Sequence, residues 1–328
     1  MNRALRPITR FSLSLAVTVL AAACSGAGGG SSGPPPASPE PGALRVVATT
    51  TVLADLVSQV GGTRVSVESL VPKGGEVHTF DPSPSDVVTI AEAELVVLNG
   101  LGLDDWLARL VTDAGSTAPI VELGEGLDGV DYLESGAHDE EGPAAGGGEH
   151  ADEAVNPHLW LDVAHARRYA ARLADALAAA DPDHAGAYRT GLDGYDARLS
   201  ALDEEIRSAI ASIPPANRRI VSFHEAFGYF AAAYGLEIVG VIVDAPGQDP
   251  SAGEIAALVE AIRSSGAKAV FTEAQFSPDL AETVAAEAGV AVVRDIYNDS
   301  LGDPPVDTYE GMMRWNTERT VAALGQTR

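Results

Sequence analysis

Short apolar, β-branched runs alternate with segments of helical periodicity along most of the chain. Leu44 to Thr49 reads as a strand and Thr51 to Val60 as a helix. Val65 to Val71 is a second strand, followed by a helix over Ser85 to Ala91 with Ser85 as its N-cap. Leu95 to Asn99 is a strand, Asp104 to Thr112 a helix and Ile120 to Leu123 a strand. From Val163 helical spacing persists, with a break near Asp181-Pro182, until Pro214-Pro215. Within it Tyr188, Leu192, Tyr195, Leu199, Leu202, Ile206 and Ile210 trace one stripe, so 185–213 is predicted as a single long amphipathic helix. After the prolines come strands at Arg219 to Ser222, Glu237 to Val243, Ala269 to Phe271 and Val290 to Val293. Helices at Ala226 to Tyr234, Ser251 to Ser264 and Pro278 to Ala288 separate them, and a last helix covers about Thr308 to Ala323. Alternation of this kind predicts α/β architecture with parallel sheets. The expected fold is two similar lobes, 43–184 and 214–328, joined by the 185–213 helix. No residue-level repeat relates the lobes.

Two stretches stand outside the alternation. Arg3, Arg6 and Arg10 precede an apolar run of 13 residues, Phe11 to Ala23, which ends at Cys24, the only cysteine. A basic start, a short apolar run and a small-residue junction read as a secretory signal over 1–23, too short to span a bilayer. Leu20-Ala21-Ala22-Ala23-Cys24 resembles a lipobox, with Ala21 where the usual Leu would stand, so Cys24 is the expected lipidation site. Residues 24–42 are mostly Gly, Ser, Pro and Ala and read as a flexible tether. A single cysteine also excludes an internal disulfide. The second stretch, 131–154, carries eight carboxylates, His138, His150 and no Lys or Arg, which is the composition of a solvated acidic loop. The formal charge of −26 argues against nucleic-acid partners, which need basic faces.

Three distant strings each set a histidine in a turn-like context: Glu76 to Asp81 around His78, Asn156 to Trp160 around His158, and Ser222 to Phe227 around His224. A fourth, Tyr297 to Ser300, adds Asp299. Separations of 80, 66 and 75 residues are too long for a zinc finger or a one-helix motif. They suit a site closed between two lobes, His78 and His158 from the first, His224 and Asp299 from the second. His165 and His184 fall in or beside helical runs and are expected on surface helix faces. Three neutral imidazoles and one carboxylate suit Zn2+; all-oxygen cages for calcium or magnesium and sulfur ligands for Cu(I) are missing. Glu76, Asp81, Asp162, Glu225 and Glu273 are candidates to orient the imidazoles. Affinity is expected to fall below about pH 6.5, where free imidazole protonates.

Enzyme signatures are weak. His224-Glu225 begins like a zincin helix but lacks the second histidine, no Walker lysine occurs, and no G-x-S-x-G stands at a predicted strand-to-helix elbow. Alternatives remain: a secreted zinc hydrolase with a metal-bound water and Glu225 as base, or an adhesin in which the metal is structural.

At these residues the chain resembles the zinc/manganese substrate-binding lipoproteins of bacterial metal ABC importers, over Leu44 to Leu324. Pro72 to Phe80, Asn156 to Leu161, Ser222 to Leu236 and Asn298 to Leu301 carry the resemblance, with Val270 to Phe276 as a further segment. It implies an extracytoplasmic, lipid-anchored, non-enzymatic monomer that captures a metal ion and hands it to a permease driven by an ATPase. Histidine at position 224, where manganese-type members carry glutamate, implies a zinc-type member; a manganese- or iron-binding member is the alternative. The acidic loop resembles the zinc-type insertion but is poor in histidine. The resemblance also makes the long helix a rigid spine that restricts hinge closure.

Overall fold

The computed structural model describes residues 38–135, 155–244 and 246–325. The expected signal segment, Cys24, most of the tether and most of the acidic stretch, with His138 and His150, lie outside them. In the first lobe β1 (Leu44–Ala48) leads into α1 (Thr51–Gly61), whose first turn is capped where the Thr50 hydroxyl accepts the Leu53 N–H. Then come β2 (Val65–Ser69), α2 (Pro84–Glu92), β3 (Leu95–Leu98), α3 (Trp106–Asp113) and β4 (Ile120–Glu122). Ser83, rather than the expected Ser85, opens α2. The Asp86 carboxylate accepts the Ser83 N–H at 2.6 Å, and Pro84 takes the first helical position, where its missing N–H costs nothing.

Two helices follow, α4 (Val163–Ala180) and α5 (Ala185–Ala211), and then the second lobe repeats the first. Its elements are β5 (Arg219–Ser222), α6 (Gly228–Tyr234), β6 (Glu237–Val241), α7 (Ala252–Ser265), β7 (Ala269–Glu273), α8 (Asp279–Ala288) and β8 (Ala291–Ile296). The closing helix is α9 (Tyr309–Leu324). Both sheets are four-stranded and wholly parallel, ordered β2-β1-β3-β4 and β6-β5-β7-β8. The repeat that the residues hide is thus plain in the topology. In such sheets the chain leaves the central strand in both directions, and loops at the carboxyl ends of the strands splay to leave a crevice.

The predicted stripe on α5 is buried: Tyr188, Tyr195, Leu199, Leu202, Ile206 and Ile210 belong to one apolar core that also takes in residues of both sheets. Leu192 packs against it from a half-buried position. At 27 residues the helix is about 40 Å long, enough to brace both lobes. Smaller apolar clusters fill the outer layers, one under α2 and α3 and one under α7 and α8.

Gly191 lies where α5 crosses α1, and a Cβ there would stand 2.1 Å from the Val60 carbonyl oxygen. Alanine is the better helix former by about 1 kcal/mol. Gly191→Ala is nevertheless expected to destabilise the protein by about 1–3 kcal/mol, because two helix backbones must part to admit one methyl group. Denaturant unfolding of the two proteins checks this; a stabilised variant would mean the helices are not in contact there.

Candidate metal centre

His78 sits in the connection from β2 to α2. Val77, fully buried, fixes that loop to the core, and the Glu76 carboxylate accepts the His78 backbone N–H at 2.9 Å. His158 follows an isolated antiparallel bridge between Glu134 and Val155 and precedes a buried turn of 3-10 helix, Leu159–Leu161. Asn156 makes the local turn. Its Oδ1 accepts both the His158 backbone N–H at 3.0 Å and the Nδ1–H at 2.9 Å, which leaves Nε2 as the free lone pair. His224 leaves the carboxyl end of β5, and its Nδ1 lies 3.1 Å from Oε1 of Glu273 at the end of β7. Asp299 lies in the connection from β8 to α9, with Gln275 Nε2 at 3.4 Å from its Oδ2.

The structure brings these four residues together. One ligand-type atom from each of His78, His158, His224 and Asp299 lies within 4.8 Å of every other. The imidazole centroids form a near-equilateral triangle of 5.4, 5.6 and 5.2 Å. Asp299 completes it, with oxygens 3.7 Å from His78 Nε2, 3.4 Å from His158 Nε2 and 3.8 Å from His224 Nε2. His78 Nε2, His158 Nε2 and Asp299 Oδ1 are buried without a hydrogen-bond partner. Buried polar atoms are seldom left so, and three pointing at one another mark a place built for something else to satisfy them. Only the His78 side chain is appreciably open to solvent, at 20%, against 3% or less for the other three. Access therefore runs past His78.

Charge in the site is set by burial and by two carboxylates. Burial pulls His78 down to about 4 against the upward pull of Asp299, and it lowers His158 in the same way. Burial also opposes a charge on His224, but Glu273 and then Asp299 overcome it and hold that imidazole up at about 9. Burial pushes the Asp299 carboxyl up, and the surrounding His158, His78 and His224 outweigh it, leaving it at about 2. Burial, followed by the nearby Asp299, lifts Glu76 to about 7. At neutral pH the site thus holds two neutral imidazoles, one imidazolium and one carboxylate.

Of the proposed orienting residues, Glu273 reaches an imidazole ring, whereas Glu76 accepts the backbone N–H of His78. Asp162 instead caps α4 through the Ala164 N–H and lies 3.8 Å from His165. Asp81 is exposed, and Glu225 offers its carbonyl to Asn156 Nδ2 at 2.7 Å. His184 lies at the α4–α5 junction, bonded to Asp181 at 2.7 Å. His165, expected on a surface face, is half-buried and meets the Tyr229 ring edge-on at 5.4 Å. Asn156 orients His158 and lies outside the set of carboxylates expected to do so. Its place two residues before a histidine, suited to an Asx turn, is the signal that could have found it.

Two lobes braced by one helix, with four convergent side chains between them, define a substrate-binding protein of the metal-importer type. The family model for zinc-uptake complex component A, periplasmic, matches residues 46–323, and the chain belongs to that family. Among similar proteins, the manganese-binding lipoprotein MntA of Halalkalibacterium halodurans is 31% identical over 88% of this chain and 91% of its own length. The iron ABC transporter substrate-binding lipoprotein MtsA of Streptococcus pyogenes is 29% identical, covering 86% of this chain and 89% of its own. The periplasmic zinc binding protein TroA of Treponema pallidum has the same fold, with a TM-score of 0.76 at 23% identity over 87% of this chain and all of its own. The Mn-bound periplasmic metal binding protein of Candidatus Liberibacter asiaticus gives 0.73 at 23% identity, covering 86% and 99%. The protein is accordingly a metal-binding, extracytoplasmic component of an ABC importer, a class of transport component rather than of enzyme. The hydrolase reading with Glu225 as base finds no support in that family. No helix among the described residues is long and apolar enough to cross a membrane.

Proposed function

We propose that the protein captures one Zn2+ with His78, His158, His224 and Asp299, and delivers it to a membrane permease driven by a cytoplasmic ATPase. The observation that carries this is the convergence of four ligand atoms, three of them buried without partners. Zinc–ligand bonds of about 2.0–2.1 Å set the edges of a tetrahedron at about 3.4 Å. The Asp299 oxygens lie 3.4 to 3.8 Å from the three Nε2 atoms, and the four ligand atoms, all within 4.8 Å of one another, would draw together around the ion. Nitrogen-rich, borderline-soft donors favour zinc over manganese, which prefers oxygen. In this reading Cys24 carries the lipid, and residues 24–42 tether a monomeric binding domain to the outer face of the membrane.

A manganese or iron cargo is the second reading, favoured by the names of MntA and MtsA. Position 224 separates the two. Exchanging imidazole for carboxylate, His224→Glu, is expected to shift zinc-over-manganese selectivity at least tenfold toward manganese in a competition titration. Unchanged selectivity would remove the basis for assigning zinc.

A further inference from the structure

Asp299 reaches the site from β8 in the second lobe, yet the backbone beside it is held by the first. The Asn298 carbonyl accepts the Trp160 indole N–H at 2.9 Å. The Trp160 carbonyl accepts the Tyr309 hydroxyl at 2.6 Å, so one residue grips both ends of segment 298–309. Further bonds to the first lobe line the same segment. Leu301 N–H donates to the Thr51 hydroxyl at 2.8 Å, Gly74 N–H to the Ser300 hydroxyl at 2.7 Å, and Tyr309 N–H to the Asp55 carboxylate at 2.8 Å. Trp160 is 2% exposed, and its ring lies 5.3 Å from that of His158, two residues earlier. The other tryptophans do nothing comparable: the Trp315 indole donates to Asp295 O within its own lobe, and the Trp106 indole N–H has no partner.

We infer that Trp160 is a positioning residue for metal binding: by holding the Asn298 carbonyl it fixes the Asp299 carboxylate opposite the imidazoles. An indole N–H only donates, and when buried it needs an acceptor. Here the acceptor is the peptide next to the candidate ligand, 138 residues away in sequence. Apart from the imidazoles it faces, the fully buried Asp299 carboxylate has one long side-chain contact, from Gln275 at 3.4 Å, so its placement depends on its backbone. Trp160 thereby registers Asp299 against His158. This rests on the four-residue site proposed above.

Zinc affinities of the wild type, Trp160→Phe, Asp299→Asn and the double variant, measured against a competing chelator, test it. Phenylalanine keeps an aromatic ring beside His158 and removes the N–H. Trp160→Phe is expected to weaken zinc about 10- to 100-fold, the range for groups that orient a ligand. In the Asp299→Asn background the same change should cost less than about threefold, since the group being positioned is gone. Equal losses in both backgrounds, or no loss in the first, would overturn the inference and leave the metal site standing. If Asp299→Asn itself binds zinc like the wild type, the proposed site fails and the inference falls with it. A readout on the unmodified protein covers a variant that does not fold. Coupling is reciprocal, so zinc must protect the Trp160 indole N–H by the factor that bond adds to zinc affinity. NMR-detected exchange of that proton, assigned through Trp106→Phe and Trp315→Phe, should slow about tenfold or more with zinc; an unchanged rate contradicts the proposal.

Discussion

Replacing His158 with alanine is expected to weaken zinc binding by about 100- to 1,000-fold, with the metal-free protein still folded. A four-ligand zinc site is worth roughly 10–16 kcal/mol in apparent binding free energy, or about 3 kcal/mol per ligand. At about 1.4 kcal/mol per tenfold, that is two orders of magnitude or more. His158 should lie at the high end. Its ring is almost wholly buried, its Nδ1 is already committed to Asn156, and its Nε2 has no partner to lose. The loss should therefore fall on affinity rather than on folding. Isothermal titration, with thermal unfolding of both metal-free proteins, separates the two. A variant that keeps its zinc would remove His158 from the ligand set.

The second large effect is on pH. A zinc ion needs the Nε2 lone pair of His224, and that imidazole is held protonated up to about 9 by Glu273 and Asp299 against burial. Each zinc bound at pH 7–9 must then displace close to one proton, so affinity should rise about tenfold per pH unit across that window. Below about 7 the slope should approach two. Glu76, lifted to about 7 by burial and by Asp299, loses its proton when a cation neutralises its neighbour. Below about 4 His78 protonates as well. This revises the onset near 6.5 expected for a free imidazole. The folding sign is opposite for the metal-free protein: the raised His224 pKa stabilises it fully below about 6.5, and that contribution is lost as pH climbs through 9. Zinc titrations in buffers of different ionisation enthalpy count the protons. An affinity flat between pH 7 and 9 would mean that His224 is neutral before zinc arrives.

The parts of this site that were legible in the sequence were local. His78, His158, His224 and Asp299 each stand in a short turn-forming string, and strand–helix alternation places such strings at the ends of strands. The α5 stripe was equally legible, because burial of one helix face is written at fixed spacing. What the sequence withheld depends on partners brought together only by the fold. Glu273 was one of five carboxylates that could orient an imidazole, and only the fold, by setting β7 beside His224, picks it out. That pairing moves the onset of the pH effect from 6.5 to about 9. Trp160 belonged to a recognised string, but its partner at Asn298 could not be read from spacing. Nothing in the spacing of α5 explains a glycine at 191; its reason is the Val60 carbonyl on another helix. Along the chain the four residues fall two in each lobe. The hydrogen bonds, however, tie the Asp299 segment to the first lobe as well.

The most direct test of the central claim is an anomalous-scattering map of zinc-loaded crystals of residues 43–328, collected at the zinc edge. One peak per chain is expected, about 2.0–2.1 Å from Nε2 of His78, His158 and His224 and about 2.0–2.2 Å from an Asp299 carboxylate oxygen. A peak elsewhere, or one within bonding distance of only some of these four, would contradict the account.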